Sequence, residues 1–210
     1  MRADKYFTAD EQKKIQQAVE AAERRTSGEI VPMIVGASSR YAESNVTGLI
    51  FGLVLGSAAA LLWGDPWGYI HAELVWPVCG AALGLLLSHI PAIKRLLIPT
   101  ARIMEAVHLR SLAAFTAHGL HYTKAHTGIL IFVSLLEHRV VVLADRGIHE
   151  KVQDDTWDGI VGIITSGLKS KDGCAAFCAA IEECGKILAE HFPRSPDDRN
   201  ELADKLVTEK

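Results

Sequence analysis

Two runs decide the architecture: VTGLIFGLVLGSAAALLW, residues 46–63, and LVWPVCGAALGLLLSHIPAI, residues 74–93. Neither contains Asp, Glu, Lys or Arg. At a helical rise of about 1.5 Å per residue the first extends roughly 27 Å and the second roughly 30 Å, the thickness of a bilayer's hydrocarbon layer. The plain alternative is an apolar helical hairpin buried inside a larger soluble fold. Two details argue for a membrane hairpin instead. Gly48, Gly52 and Gly56, continued by Ala60, recur every fourth residue, and Gly80, Gly84 and Ser88 repeat the spacing. Such stripes let helix backbones approach where lipid supplies no hydrophobic drive. Trp63, Trp67, Tyr69 and Trp76 gather around the connection, where amphipathic rings favour the membrane interface. Pro77 suits the first turn of the second helix, and Pro91 and Pro99 mark its end.

Charge sets the expected orientation. The connection 64–73 has no Lys or Arg, whereas Arg40 precedes the hairpin and Lys94, Arg95, Arg102 and Arg110 follow it. The positive-inside rule then leaves both chain ends cytoplasmic and the connection outside. The first run lies too far from Met1, without a small-residue cleavage site, to be a removable signal peptide. The expectation is a multi-pass protein of the cytoplasmic (inner) membrane whose soluble domain sits on the cytoplasmic side.

Outside the hairpin roughly 160 residues remain, enough for one domain with a single core. A net charge of −3 with interspersed signs gives no basic footprint, so nucleic acid is not an expected partner. Cys79, Cys174, Cys178 and Cys184 lack the spacing of a secreted disulfide framework, and free thiols suit a reducing cytoplasm. Zinc through Cys174 and Cys178 has no nearby pair to complete four ligands.

The soluble segments alternate in character. Residues 7–26 read as a helix, with Thr8 and Glu11 as a capping box and Ile15, Ala18, Val19 and Ala22 at helical spacing. EIVPMIV, residues 29–35, reads as a strand in which Pro32 suggests an edge or a bulge. Residues 96–118 read as one helix that Gly119 ends. GILIFVSLL (128–136) and RVVVLA (139–144) are near-continuous apolar runs, as for adjacent strands covered on both faces. Residues 148–168 and 173–192 read as helices. The tail 193–210 is charged, with at most one short exposed helix. The expected organisation is a first part of an α/β domain (1–44), a transmembrane helical hairpin (45–93), a second part of that domain (94–192) and the tail. Helices alternating with a few buried strands point to a three-layer α/β/α arrangement.

The string TSGEIVPMIV after an amphipathic helix, then TGILIFVSLLEHRVVVLADRGI and a DDTWDGIVGIITSGLK helix, resembles the TPM domain. That family is named for a thylakoid lumen protein, a photosystem II repair protein and a nematode receptor-associated membrane protein. The similarity covers residues of about 5–40 and 105–190 and is nearest to bacterial membrane members. The resemblance implies an α/β/α sandwich, and within the family some members act as acid phosphatases and others as calcium-binding assembly factors. Those members export the domain behind a signal peptide. Here the anchor is a hairpin inserted after the first strand, and the charge rule keeps the domain in the cytoplasm.

Nothing in the residues supplies a phosphoryl nucleophile: there is no Cys-x5-Arg loop, no Asp-x-Asp strand end and no P-loop. The strongest polar constellation is Asp145, Asp154 and Asp155, with Asp158 beyond. Asp145 follows a buried strand, at the end where open α/β sheets bind ligands. Converging carboxylates are the ligands that calcium or magnesium takes, and Glu29 joins them only if its side chain reaches that edge. The plainer reading makes Asp145 a turn cap and the others a solvated helix face. His118, His121 and His126 lack the Glu and the helical continuity of a zincin. Trp157 reads as a core aromatic.

Three functional readings follow. The first is a membrane-anchored interaction or assembly module that binds a divalent cation. The second is a metal-assisted, acid-phosphatase-like phosphate monoester hydrolase. The third is a structural membrane protein that pairs with a protein partner, or with itself as a homo-oligomer, through its glycine stripes.

Overall fold

The computed structural model describes residues 3–63, 72–153, 155–195 and 200–209. Among them are eight α-helices and one four-stranded sheet, which makes the fold mixed α/β. The chain divides into two compact units, Met1–Ser38 with Ala106–Lys210, and Ser39–Glu105.

The larger unit opens on helix α1 (Ala9–Glu23), started by the expected reciprocal cap: Glu11 N donates to Thr8 Oγ1 at 3.3 Å, and Thr8 N donates to Glu11 Oε2 at 2.8 Å. Its sheet has the order β3-β2-β1-β4, from β1 (Glu29–Val35), β2 (Gly128–Ser134), β3 (Arg139–Ala144) and β4 (Val207–Glu209). Strand β1 runs parallel to β2 and β4, and β3 is antiparallel to β2. Every residue of β1 and β2 is buried, as the apolar run of β2 requires, whereas β3, expected to be covered on both faces, is only half-buried with Arg139 exposed. Helices α1, α7 (Thr156–Lys169) and α8 (Gly173–His191) share one core with one sheet face, where Ile30 and Ile34 of β1 stand beside Ile129 and Val133 of β2. Each such aliphatic side chain contributes on the order of 1.5–3 kcal/mol on burial. On the other sheet face Val31, Met33, Leu130 and Phe132 are equally closed off from water.

Pro32 marks no bulge, and it lies on a locally unpaired edge of a strand that is otherwise internal. Strand β1 is internal, and its backbone alternates: Glu29 N donates towards β2, to Thr127 O at 3.2 Å, whereas Gly36 N donates towards β4, to Glu209 O at 3.2 Å. Position 32 faces the β4 side, where pairing begins only at Met33↔Val207. The missing N–H therefore breaks no ladder bond. The tail also departs from expectation, because the strand β4 lies within it.

Two expected helices are each split. The stretch 96–118 divides between α4 (Pro91–Leu97) and α5 (Thr100–Ala117), since Pro99 pushes Ile98 to an extended conformation, φ −99°, ψ 128°. The stretch 148–168 divides between α6 (Arg146–His149) and α7.

The smaller unit contains α2 (Glu43–Trp63), α3 (Ala72–Leu87), α4 and the start of α5. Helices α2 and α3 pack through the glycine stripes. A Cβ at Gly52 would collide with the Gly80 carbonyl oxygen, one at Gly84 with the Gly48 carbonyl oxygen, and one at Gly48 would stand 2.7 Å from Gly84 O. Ser88 Oγ donates to Asn45 Oδ1 at 3.0 Å at the end of the same interface. Their outer faces are bare hydrocarbon: Phe51 is 63% exposed and Leu86 69%. Among the described residues α2, over Glu43–Leu62, is the one helix long and apolar enough to cross a bilayer. The second apolar run is not one straight helix. It bends by 106° between α3 and α4, where Ile90 before Pro91 is extended, φ −74°, ψ 123°. Pro77 lies inside α3 rather than in a first turn. The aromatic connection 64–71, with Trp67 and Tyr69, falls outside the described residues.

Candidate functional site

Asp145 closes β3 and caps α6. Its Oδ1 accepts from Arg146 N at 2.7 Å, and Oδ2 lies 3.2 Å from His126 Nδ1. Gly147 completes the turn because a Cβ there would press on the backbone carbonyls of Ala125 and His126, the latter at 2.8 Å. Thus the ADRGI segment is a structural corner as well as a candidate site. Because β3 is antiparallel, Asp145 sits where the parallel strands β1 and β2 begin. Open parallel sheets gather ligands at the other end.

The described residues of the remaining predicted set form no metal-holding group with Asp145. Asp155 is exposed and flanks α7 without a side-chain cap bond, and Asp158 is exposed on the first turn of that helix. Asp154 falls outside the described residues. Glu29 is buried, and its carboxylate accepts from Glu201 N at 2.9 Å and Leu202 N at 3.3 Å, holding the chain tail against β1. The histidines disperse as well: His118 Nε2 lies 3.9 Å from Glu209, the His121 ring stacks on Tyr122, and His126 faces Asp145. Among the described residues no group of three or more His, Cys, Asp or Glu side chains is arranged to hold a metal ion. Burial pushes the Cys178 thiol up to about 11, with Cys174 beside it, which keeps the pair in the inert thiol form. Trp157 is a core residue, as its sequence context suggests.

A second acidic group was not legible from the sequence. Glu20, Glu23 and Glu29 line a polar cavity of about 250 Å³ together with Asp204, Arg24 and Arg194. Glu23 Oε1 accepts from Ile30 N at 2.8 Å, serving the face of β1 that β4 does not reach. Burial raises the Glu23 carboxyl to about 9, with Glu29 and Asp204 adding like-charge repulsion. Burial likewise raises Glu29. Glu23 reads as one more polar residue of α1, and only the return of the tail brings Asp204 beside it. No signal in the chain at either position announces the pair. The cluster holds a proton at neutral pH and pins the tail.

At the opposite end of the sheet a buried polar network closes the β2–β3 turn. Ser134 Oγ donates to Glu137 Oε2, Ser38 Oγ donates to Ser134 Oγ at 2.9 Å, and Ser38 N donates to Glu137 Oε1 at 2.8 Å. Glu137 is thus a buried carboxylate provided with donors, as burial of a charge requires.

No protein-family model matches the chain, and no curated protein sequence matches it. Among solved structures the chain is similar to the NMR structure of the BA42 protein from the psychrophilic bacterium Bizionia argentinensis, at 22% identity and a TM-score of 0.62, over 97% of this chain and 96% of that one. That likeness concerns the fold.

Proposed function

We propose that this chain is a membrane-anchored, TPM-like three-layer α/β/α module that acts in interaction or assembly rather than in catalysis. In this reading α2 and α3 form a transmembrane hairpin in the cytoplasmic membrane, and the α/β unit lies on the cytoplasmic side with Lys94, Arg95 and Arg102 near the surface. One observation carries the anchoring: α2 and α3 turn their glycines to each other and their Leu, Val and Phe side chains outward. In water that pattern would expose a large apolar patch, whereas in lipid it is the ordinary arrangement. The stripes already serve contact within the hairpin, so association with another copy would use a different face. Order along the chain supports the TPM reading: the capped helix, the two parallel strands, the ADRGI corner and the following helix occur in sequence.

Reporter fusions test the anchoring. A reporter active only outside the cytoplasm should be active when inserted between Gly68 and His71 and silent after Val207. Reversed signals overturn the orientation, and silence at both positions together with alkaline extraction overturns the anchor. A divalent ion belongs to the proposal through Asp145, Asp154 and Asp155. Millimolar calcium or magnesium should raise the melting temperature, and Asp145→Asn should remove that rise, since only the folded state would bind. Hydrolysis of a generic phosphate ester, lost in the same variant, would establish the hydrolase instead.

A further inference from the structure

The carboxyl end of β2 opens into a cavity of about 240 Å³ between the β2–β3 turn and α7. Its apolar walls are Leu135, Val140 and Leu168, with the Tyr6 ring at one side. Thr165 and Lys169, one helical turn apart on α7, reach it from the same helix face. His138 stands at the mouth, held at a left-handed φ of 52° in the tight turn. This is the end of a parallel strand pair at which open α/β sheets bind ligands, and strain in a non-glycine residue is concentrated at such places.

The charge of the lining is one-sided. Among the described residues no Asp or Glu lines the cavity, and neighbouring Glu137 is turned inward, where its oxygens accept from Ser38 and Ser134. Lys169 is exposed and makes no ion pair with a described residue. A lysine in the last turn compensates the helix dipole wherever it points. That role does not explain why it borders three aliphatic side chains and a hydroxyl one turn away. Lys169 is the one Lys or Arg among the described lining residues. His138 and the Tyr6 and Thr165 hydroxyls stand with it, while the Ser134 hydroxyl is committed to Glu137. One fixed cation matches a monoanion better than a doubly charged phosphate. At roughly 30 Å³ per water the space holds about eight waters, below the usual range for drug-sized ligands.

We propose that this cavity binds a small monocarboxylate with an apolar body, of about ten non-hydrogen atoms in all. The carboxylate is held by Lys169 and Thr165, and the hydrocarbon part lies against Leu135, Val140 and Leu168. Displacing water from those walls supplies the drive, and the lysine supplies the selectivity for an acid over its neutral amide.

The test uses the full chain in zwitterionic nanodiscs, titrated with phenylacetate, hexanoate and phenylacetamide, with empty nanodiscs subtracted. At least one of the two acids should bind with a dissociation constant of about 1 mM or tighter. The amide should bind about tenfold more weakly, and Lys169→Met should weaken the acid by about the same factor while leaving the amide unchanged. Val140→Trp should abolish binding of the acid by filling the space from a half-buried position. Amide chemical-shift changes in the wild-type chain locate the ligand independently of any variant, and they should centre on residues 134–140 and 165–169. Absence of saturable binding by both acids, equal affinity for acid and amide, indifference to Lys169→Met, or shifts centred elsewhere would each overturn the proposal.

Discussion

The α2–α3 hairpin and the α7–α8 pair are both helix pairs, and they are built inside out with respect to each other. In α7 and α8 the large side chains Ile160, Ile164, Phe177 and Ile181 point into the core, while Asp158, Glu182 and Lys186 face water. In α2 and α3 the contact is glycine backbone against glycine backbone, and the large side chains point away. Water drives the first pair together by expelling apolar surface; in the membrane setting proposed for the second, lipid would offer no such drive and close backbone approach would replace it. The contrast teaches that two helix pairs of one chain can close by opposite means, one through large side chains and the other through bare backbone.

The sharpest way to separate the two regions is to damage one and read the other. Phe177→Ala should cost the α/β unit about 3–5 kcal/mol by opening a cavity in a fully buried site. Thermal melting followed by near-ultraviolet circular dichroism measures this, with protease resistance of the hairpin unchanged. Loss of both together would mean that the regions are not independent. Gly52→Leu should cost the hairpin about 3 kcal/mol, because the Gly80 carbonyl stands where the side chain must go. Leu86→Ala on the outer face should shift the same detergent-unfolding midpoint far less, and equal effects would remove the basis of the contrast.

Buried carboxyl groups mark a further difference, since the α/β unit encloses Glu29 and Glu137 whereas Glu43 of α2 is exposed. The folded state keeps a proton on Glu23 that the unfolded chain releases above its ordinary value of 4.5, so this group's contribution is fully present below that pH and is lost as pH rises towards about 9. Glu23→Gln keeps an acceptor for Ile30 N and should flatten that slope. The variant should melt a few degrees above the wild type at pH 8.5 and level with it near pH 4.5. An unchanged difference across that range would show that Glu23 is ionised in the fold. The smallest effect sharpens the comparison most directly: Gly162 on α7 has open space where a Cβ would stand, whereas Gly84 on α3 does not. Gly162→Ala should stabilise by up to about 1 kcal/mol through helix propensity, and Gly84→Ala should destabilise by a similar amount or more. Both are read from the same chemical-unfolding midpoints, and equal signs would break the contrast.

Legibility followed the range of the interactions. Strands β1 and β3 lie where apolar runs bounded by turn residues placed them, and the Thr8–Glu11 cap is local by nature. The end of the second helix before Pro91 was legible in that proline, whereas the break at Ile98 was written in Pro99 but helical periodicity over 96–118 outweighed it. Strand β4 was missed because three residues in a charged tail have no pattern of their own; Val207, Thr208 and Glu209 become a strand only beside Met33, Ile34 and Val35. Of the candidate site, the cap at Asp145 was legible, whereas its His126 neighbour depends on a loop with φ 53° at that histidine.

The amino-acid order by itself determined what neighbours along the chain can enforce: the apolar spans, the glycine spacing, the buried run of β2 and the corner at Asp145. Only the tertiary structure decided that β3 turns antiparallel and carries Asp145 to the amino ends of β1 and β2, that the tail returns as β4 to bring Asp204 beside Glu23, and that Lys169 borders an apolar cavity at the other end of the sheet. The physical reason is that these arrangements join residues far apart in the chain, and which groups meet there is set by strand direction and register across the whole sheet rather than by any local preference.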